Sequence, residues 1–240
     1  MSLPLADQTT ILITGATSGI GRALKDRLLA EGHELIIVSR TGAKNKAGVT
    51  AYACDLSDPH AVVALCSNLK ARHPDISIII NNAAVQYAAT LVETTPKQVV
   101  EEAMLNLVAP ALIAQAFLPT LFKQSGASAI VNISSGLAFF PKEATTLYCA
   151  TKAALHSLSQ SLRYACEGSH VLVTEAILPL VATPMTEGRG RGKIAADRAA
   201  RAIITGLKAN RAEIWVGKAR LIPFIQRFAP SVGRSLLRRG

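Results

Sequence analysis

The sequence predicts a single-domain α/β fold: one doubly wound parallel sheet of about seven strands with helices on both faces. Three observations predict it. Short apolar runs alternate along the chain with longer segments of helical spacing, the order that puts helices between parallel strands. The first apolar run ends in a glycine-rich turn that opens the first helix. Half of the 240 residues are hydrophobic but only 5% are aromatic, so Ala, Val, Ile and Leu do the filling, as suits strands buried on both faces. No linker or internal repeat divides the chain, and residues 1–240 are read as one domain.

The elements follow in order. Thr10 to Thr14 is a short apolar run stopped by Gly15, a buried strand. Gly19 to Ala30 places Ile20, Ala23, Leu24 and Leu28 at helical spacing. Glu34 to Val38 and Val49 to Cys54 are the next strands, with polar Thr41 to Gly48 a loop between them. Asp58-Pro59 is a helix start, Asp as N-cap and Pro at the first helical position, and that helix runs to about Arg72. Ile76 to Ile80 is a strand. Thr95-Pro96 opens a helix that continues past Asn106 and is disturbed at Pro110. Ala129 to Ile133 is the fifth strand, Leu147 to Cys166 a long helix, Val171 to Leu178 the sixth strand, Ala195 to Leu207 a helix and Glu213 to Val216 the last strand.

Composition narrows the function. The formal net charge is +10, which favours solubility and anionic ligands ahead of a membrane surface or nucleic acid. Aromatics are not interleaved with the basic residues, and no nucleic-acid partner is expected. Cys54, Cys66, Cys149 and Cys166 show no CxxC or metal spacing; they read as thiols in a reducing compartment, and no metal site is expected. The first seven residues lack the basic and apolar regions of a signal peptide. No uninterrupted apolar run approaches the ~20 residues that span a bilayer. The expectation is a cytoplasmic protein without stable membrane insertion.

In a doubly wound sheet the ligand lies beyond the carboxyl ends of the strands, and the motifs gather there. Thr14-Gly15-Ala16-Thr17-Ser18-Gly19-Ile20-Gly21 joins the first strand to the first helix. Its glycines permit a tight turn and close backbone approach, and the helix start offers free amides to a pyrophosphate. Gly15, Thr17, Ser18, Gly19, Ile20 and Gly21 are therefore candidate cofactor-binding residues. Ser39 stands where an acidic residue would bind ribose hydroxyls, and Arg40 follows it; a guanidinium suits a 2′-phosphate, although a surface arginine after a strand needs no ligand. The pair predicts NADP(H) in preference to NAD(H). Asp55, with Leu56 beside it, is placed to accept from an adenine amino group. Asn82 and Ala83, in the turn Asn81-Asn82-Ala83-Ala84, suit backbone pressed against a cofactor, or turn formation alone.

Tyr148 and Lys152 are four residues apart and share one helix face. Lowering a phenol from ~10 to ~7 takes about 4 kcal/mol, which one charge at ~4 Å supplies at an effective dielectric of ~20. Such a tyrosine exchanges protons near neutrality. Ser135, in Ile133-Ser134-Ser135-Gly136, lies thirteen residues before Tyr148.

Together Thr14 to Gly21, Asp55, Asn81-Asn82-Ala83, Asn106, Ser135, Tyr148 and Lys152 resemble the short-chain dehydrogenase/reductase family over nearly the whole chain, and the turn Pro179-Leu180, where the family usually has Pro-Gly, resembles its DltE-like subgroup. The resemblance implies a Rossmann fold and an NAD(P)-dependent oxidoreductase (EC 1.1.1.-) interconverting a small carbonyl and an alcohol by hydride transfer. Tyr148 would be the general acid or base, Ser135 would fix the substrate oxygen, and Lys152 would lower the Tyr148 pKa and hold the nicotinamide ribose. Asn106 would hold a relay water, and Val181 and Thr183 would meet the nicotinamide amide. Ser134 is the neighbouring alternative to Ser135. The family also implies a homodimer or homotetramer through the helices that carry Asn106 and Tyr148. The same fold serves non-catalytic redox sensors, which remain the alternative.

Residues 186–194 sit where the family has a substrate lid. Glycines predict mobility there, and Arg189, Arg191 and Lys193 make it basic; a solvated loop is the alternative. Residues 219–240 form a basic amphipathic tail that Pro223 and Pro230 divide into short helical pieces. It would cover the cleft or a subunit contact, or touch an anionic membrane peripherally. Leu137, Phe139 and Phe140 suggest an apolar pocket wall, His156 a packed helix residue and Trp215 core.

Overall fold

A computed structural model describes Leu5 and residues 8–238, less the side chains of Leu236 and Leu237. The side chains of Leu236 and Leu237 and residues 239–240, all within the tail read at 219–240, thus lie outside the described residues. Seven parallel strands form one sheet in the order β3-β2-β1-β4-β5-β6-β9. They are β1 (Thr10–Thr14), β2 (Glu34–Ser39), β3 (Val49–Ala53), β4 (Ile76–Asn81), β5 (Ser128–Ser135), β6 (Val171–Leu178) and β9 (Glu213–Trp215). The order reverses beside β1, which makes the carboxyl ends of β1 and β4 the switch point. Two apolar layers cover the sheet. On one face Leu24, Leu28, Ile203 and Leu207 pack against Ile11, Ile13 and Val131. On the other Val62, Leu69, Ile113 and Phe117 pack against Leu12, Ile79 and Ile130.

The helices α1 (Gly19–Ala30) and α2 (Pro59–Arg72) have the expected bounds. Asp58 caps α2 by accepting from the His60 amide at 2.8 Å. Thr95 and Gln98 form a reciprocal capping box at the start of α3 (Pro96–Ala103), which satisfies amides that a helix start leaves unpaired. The disturbance expected near Pro110 is a π-turn over Met104–Val108, followed by α4 (Ala109–Leu121). Pro110 has no N–H for the carbonyl four residues back, that of Asn106, and its ring crowds that carbonyl; the wider turn relieves the crowding.

By length and composition the 26-residue helical run Pro96–Leu121 is apolar enough to cross a membrane. It holds no uninterrupted apolar run of that length, because Asn106 and other polar residues break the sequence. Its Ile113, Phe117 and Leu121 side chains are core.

Two elements were not foreseen. Past β6, Val181–Ala182 (β7) pairs in parallel with Ile194–Ala195 (β8), so residues 183–193 leave and return at one clamped base. The helix α5 (Thr146–Ala165) covers β5 and β6, and α6 (Ala196–Lys208) follows β8. The tail is divided as the prolines predict, into a 3-10 turn (Gly217–Leu221), α7 (Ile222–Phe228) and α8 (Pro230–Arg238). The apolar wall expected at residues 137–140 is largely a satellite core. Phe140 is buried with Ile177, Ala219 and Ile222, while Phe139 packs on His156 and Trp215. Trp215 itself is only partly buried, at the sheet's edge strand.

Candidate active site

The first turn is tied to β4 by side-chain bonds. Thr14 Oγ1 accepts from the amides of Asn82 and Ala83, both at 3.0 Å. Asn82 Nδ2 donates to the carbonyls of Thr14 and Gly15, again at 3.0 Å. This closeness requires glycine: a Cβ on Gly21 would lie 2.2 Å from the Gly15 carbonyl oxygen, and Gly15 itself has φ +68°. Thr183 closes the other side, 3.0 Å from where a Gly19 Cβ would stand. Thr17 and Ser18 are exposed, Ile20 is half-buried, and α1 begins with no side-chain cap and no acidic residue in its first turn. Its first amides thus have no side-chain partner from Ser18, and the residues fit a pyrophosphate.

Ser39 Oγ, at the end of β2, is buried without a protein partner, and Arg40 beside it is exposed. Asp55 lies close enough to Arg40 to be influenced by it, but Ser57 is the main reason that its carboxyl sits below the usual range. Ser57 donates to Asp55 Oδ1 from its hydroxyl at 2.7 Å and its amide at 2.9 Å. Leu56 is buried. Val181 is buried in β7, and its carbonyl accepts from Thr186 Oγ1 at 2.5 Å.

At the end of β5 the strand's alternation separates the two serines. Ser134 is buried with an unpartnered hydroxyl; Ser135 Oγ accepts from the Leu137 amide at 3.2 Å and interacts with the Tyr148 phenol, favouring its ionised form. Lys152 is buried, and its ammonium donates to the Ile133 carbonyl at 2.8 Å. The nitrogen lies 5.6 Å from the Tyr148 ring centroid.

One expectation fails here. The Tyr148 phenol is raised above its ordinary value, not lowered. Burial is the main cause, and the lysine is oriented to the strand carbonyl. Burial in turn pulls Lys152 down to about 8.

Asn106 sits in the π-turn, buried. Its Oδ1 accepts from the Val85 amide at 2.9 Å, and its Nδ2 donates to the Val85 carbonyl at 2.9 Å and to Thr151 Oγ1 at 3.2 Å. The side chain therefore joins the loop after β4 to α5, with its own bonds going to Val85 and Thr151.

Sequence reasoning missed a polar row beneath α5. Asn81, Asn132, Glu175 and Glu213 are in register across β4, β5, β6 and β9. Asn81 Nδ2 donates to Asn132 Oδ1 and Asn132 Nδ2 to Ser159 Oγ, each at 2.9 Å. His156 Nδ1 donates to Glu175 Oε2 at 2.6 Å. By distance His156, Glu175 and Glu213 could share an ion, their ligand atoms lying within 4.8 Å of one another, but Arg163 and Trp215 already bond Glu213. Nothing in the separate stretches of sequence signals this row, because only the sheet register assembles it.

The family model for the short chain dehydrogenases matches residues 9–193. The protein DltE of Bacillus subtilis strain 168, an uncharacterised oxidoreductase, is 35% identical over 220 residues, 85% of this chain and 86% of its own. A short-chain dehydrogenase from Sphingobium yanoikuyae, solved with NADPH, is 28% identical with TM-score 0.79, covering 93% of this chain and 95% of that one. A short-chain dehydrogenase from Burkholderia cenocepacia J2315, solved with NADP, has TM-score 0.85 at 23% identity over 98% and 99%, a likeness of fold.

Proposed function

The chain belongs to the short-chain dehydrogenase family and is an oxidoreductase using a nicotinamide cofactor and a small-molecule substrate, and from that premise we propose that it interconverts a carbonyl and an alcohol with Tyr148 as general acid or base. The observation that carries the reading is the meeting of Ser135 and Tyr148 beside an ammonium anchored on Ile133, at the strand ends next to the glycine turn. Because burial raises the phenol, Tyr148 rests protonated, the form that donates to a carbonyl oxygen in reduction. Ser135 holds the same oxygen by a hydrogen bond. Lys152 holds the nicotinamide ribose hydroxyls and stabilises the phenolate once the proton has left. The bound nicotinamide supplies the hydride.

Asn106 serves as the relay position through its backbone. Its side-chain amide is engaged with Val85, while Pro110 offers no N–H to its carbonyl; a water on that carbonyl would link Lys152 to solvent. Gly15, Thr17, Ser18, Gly19, Ile20 and Gly21 hold the pyrophosphate, Asp55 and Leu56 the adenine, Asn82 and Ala83 the backbone of the cofactor, and Val181 and Thr183 the nicotinamide amide. Ser39 and Arg40 favour NADP(H), a reading supported by the unpartnered Ser39 hydroxyl and by the NADPH-bound Sphingobium relative.

Residues 186–194 act as the lid. Support comes from the clamp at their base and from Arg189, whose charge reaches Tyr148. The tail covers the cleft or a subunit contact. Pairing through α4 and α5 would give a homodimer or homotetramer, consistent with Phe122 and Tyr164 lying exposed there. Four buried free cysteines fit a reducing cytoplasm.

The test is a panel of carbonyls with NADPH and NADH, and of alcohols with the oxidised forms, following absorbance of the reduced cofactor. Turnover of some member is expected, faster with the phosphorylated cofactor. Cofactor binding without turnover anywhere in the panel would return the redox-sensor reading.

A further inference from the structure

Among the described residues, Glu102, Lys152 and Glu175 are the Lys, Arg, Asp or Glu side chains classed as buried, at 1%, 3% and 0% exposure. A charge taken out of water is tolerated only with compensation. The one hydrogen bond from Lys152 Nζ goes to a neutral acceptor, the Ile133 carbonyl. Both glutamates keep a buried oxygen with no partner, Glu102 Oε1 and Glu175 Oε1. The two come from different elements, Glu102 from α3 and Glu175 from β6.

On β6, Glu175 lies in register with Asn132, whose side chain reaches Ser159 on α5, so this position faces α5 and Lys152's side of it. His156, one helical turn after Lys152, donates to Glu175 Oε2 at 2.6 Å and fixes the carboxylate. Phe139 holds the imidazole from the other side, ring centroids 4.6 Å apart.

We propose that Glu175, oriented by His156, is a positioning residue that compensates the buried charge of Lys152 and so favours the protonated lysine, and that Glu102 is a second one that adds its charge once it ionises. This rests on the reading of Lys152 and Tyr148 given above.

The electrostatics agree in direction. Both carboxylates favour the charged lysine against burial, Glu175 more strongly than Glu102, and Lys152 in turn favours the ionised form of Glu102. Other ionisable groups nearby are Tyr87, whose backbone bonds Glu102 and whose phenol feels that carboxyl, Cys149 on α5, Arg189 in the 183–193 segment, and Glu213 on β9, which pairs with Arg163. Tyr148 feels Cys149, Glu102 and Arg189.

The test reads the lysine itself, without substrate. The protein is labelled with 13C-lysine, the Cε signal of Lys152 is assigned by its loss in Lys152→Arg, and its titration midpoint is followed by NMR in wild type, Glu102→Gln, Glu175→Gln and Glu175→Asp. A drop of at least about one pH unit, a tenfold loss of proton affinity, is expected in Glu175→Gln. A smaller drop is expected in Glu102→Gln, and recovery in Glu175→Asp, which restores a charge that a merely structural role would not need. Unchanged midpoints in both Gln variants overturn the proposal. If Glu175→Gln does not fold, Glu102→Gln decides alone: its midpoint drops, or the proposal is overturned. The functional reading fails separately, by turnover that survives Tyr148→Phe, and that result leaves the midpoints standing.

Discussion

Lys152 Nζ donates to the Ile133 carbonyl at 2.8 Å, and the same nitrogen lies 5.6 Å from the centroid of the Tyr148 ring. Strand β5 therefore fixes the ammonium with one residue and presents Ser135 with another, two positions on. The three side chains share a single scaffold, so the geometry between them does not depend on a loop. Burial is the main cause that holds the phenol protonated in this structure.

Tyr148→Phe removes the proton while keeping the ring that packs near Lys152. Turnover should fall to background, and cofactor affinity, measured by quenching of Trp215 fluorescence or by calorimetry, should stay within about threefold. Substantial remaining activity would refute the assigned role.

Arg40→Ala tests cofactor choice. A hydrogen bond to a charged group contributes about 1.5–3 kcal/mol, so NADPH should bind more weakly by roughly tenfold or more while NADH changes little. Equal losses for both cofactors would remove the basis for the preference.

Much of this was legible in the sequence because the signals are local. Asp58-Pro59 marks the start of α2, and Gly15 with Gly21 marks a turn whose closeness the 2.2 Å contact explains. Other features had no local signal. Two-residue strands such as β7 and β8 carry no period to read. The row Asn81, Asn132, Glu175 and Glu213 is spread over more than a hundred residues, and each member lies in a different strand, inside it or at its end. The i, i+4 spacing of Tyr148 and Lys152 showed a shared face, but burial and the Ile133 carbonyl, which decide the ionisation, come from tertiary structure.

Gly21→Ala tests the first turn. The added methyl would stand 2.2 Å from the Gly15 oxygen and 2.5 Å from Asn82 Nδ2, so backbone must move. Overpacking of this kind costs about 1–3 kcal/mol, and the displaced amides should lower affinity for both cofactors alike. Retention of wild-type melting temperature and binding would show that the turn has slack.

Arg189 and Arg191 test the lid. Arg189 acts electrostatically on Tyr148 from the 183–193 segment. Replacing both with Gln should raise KM for an anionic substrate and spare a neutral one of similar size. Identical KM values across a panel of both kinds would leave the basic lid without a role in substrate choice.

The buried carboxyl of Glu102 gives the fold a pH dependence of defined sign. Burial pushes it from 4.5 up to about 7, so the folded protein binds this proton more tightly than the unfolded chain. Its contribution to stability is fully present below about 4.5 and is lost as pH rises through about 7, by on the order of 3 kcal/mol at most. Lys152, pulled down to about 8 from 10.5, acts at higher pH with the opposite sign: stability recovers as pH rises from about 8 toward 10.5, where only the unfolded chain still holds the proton. Buried His33, held below its usual range by desolvation, also acts with opposite sign to Glu102 and overlaps its window. The informative quantity is therefore the difference between wild type and Glu102→Gln in urea unfolding at pH 5, 6, 7 and 8. The variant should gain stability relative to wild type from pH 5 to 7 and level off by pH 8. A flat difference would mean that Glu102 ionises in the folded protein at its ordinary value and that its burial is relieved in solution.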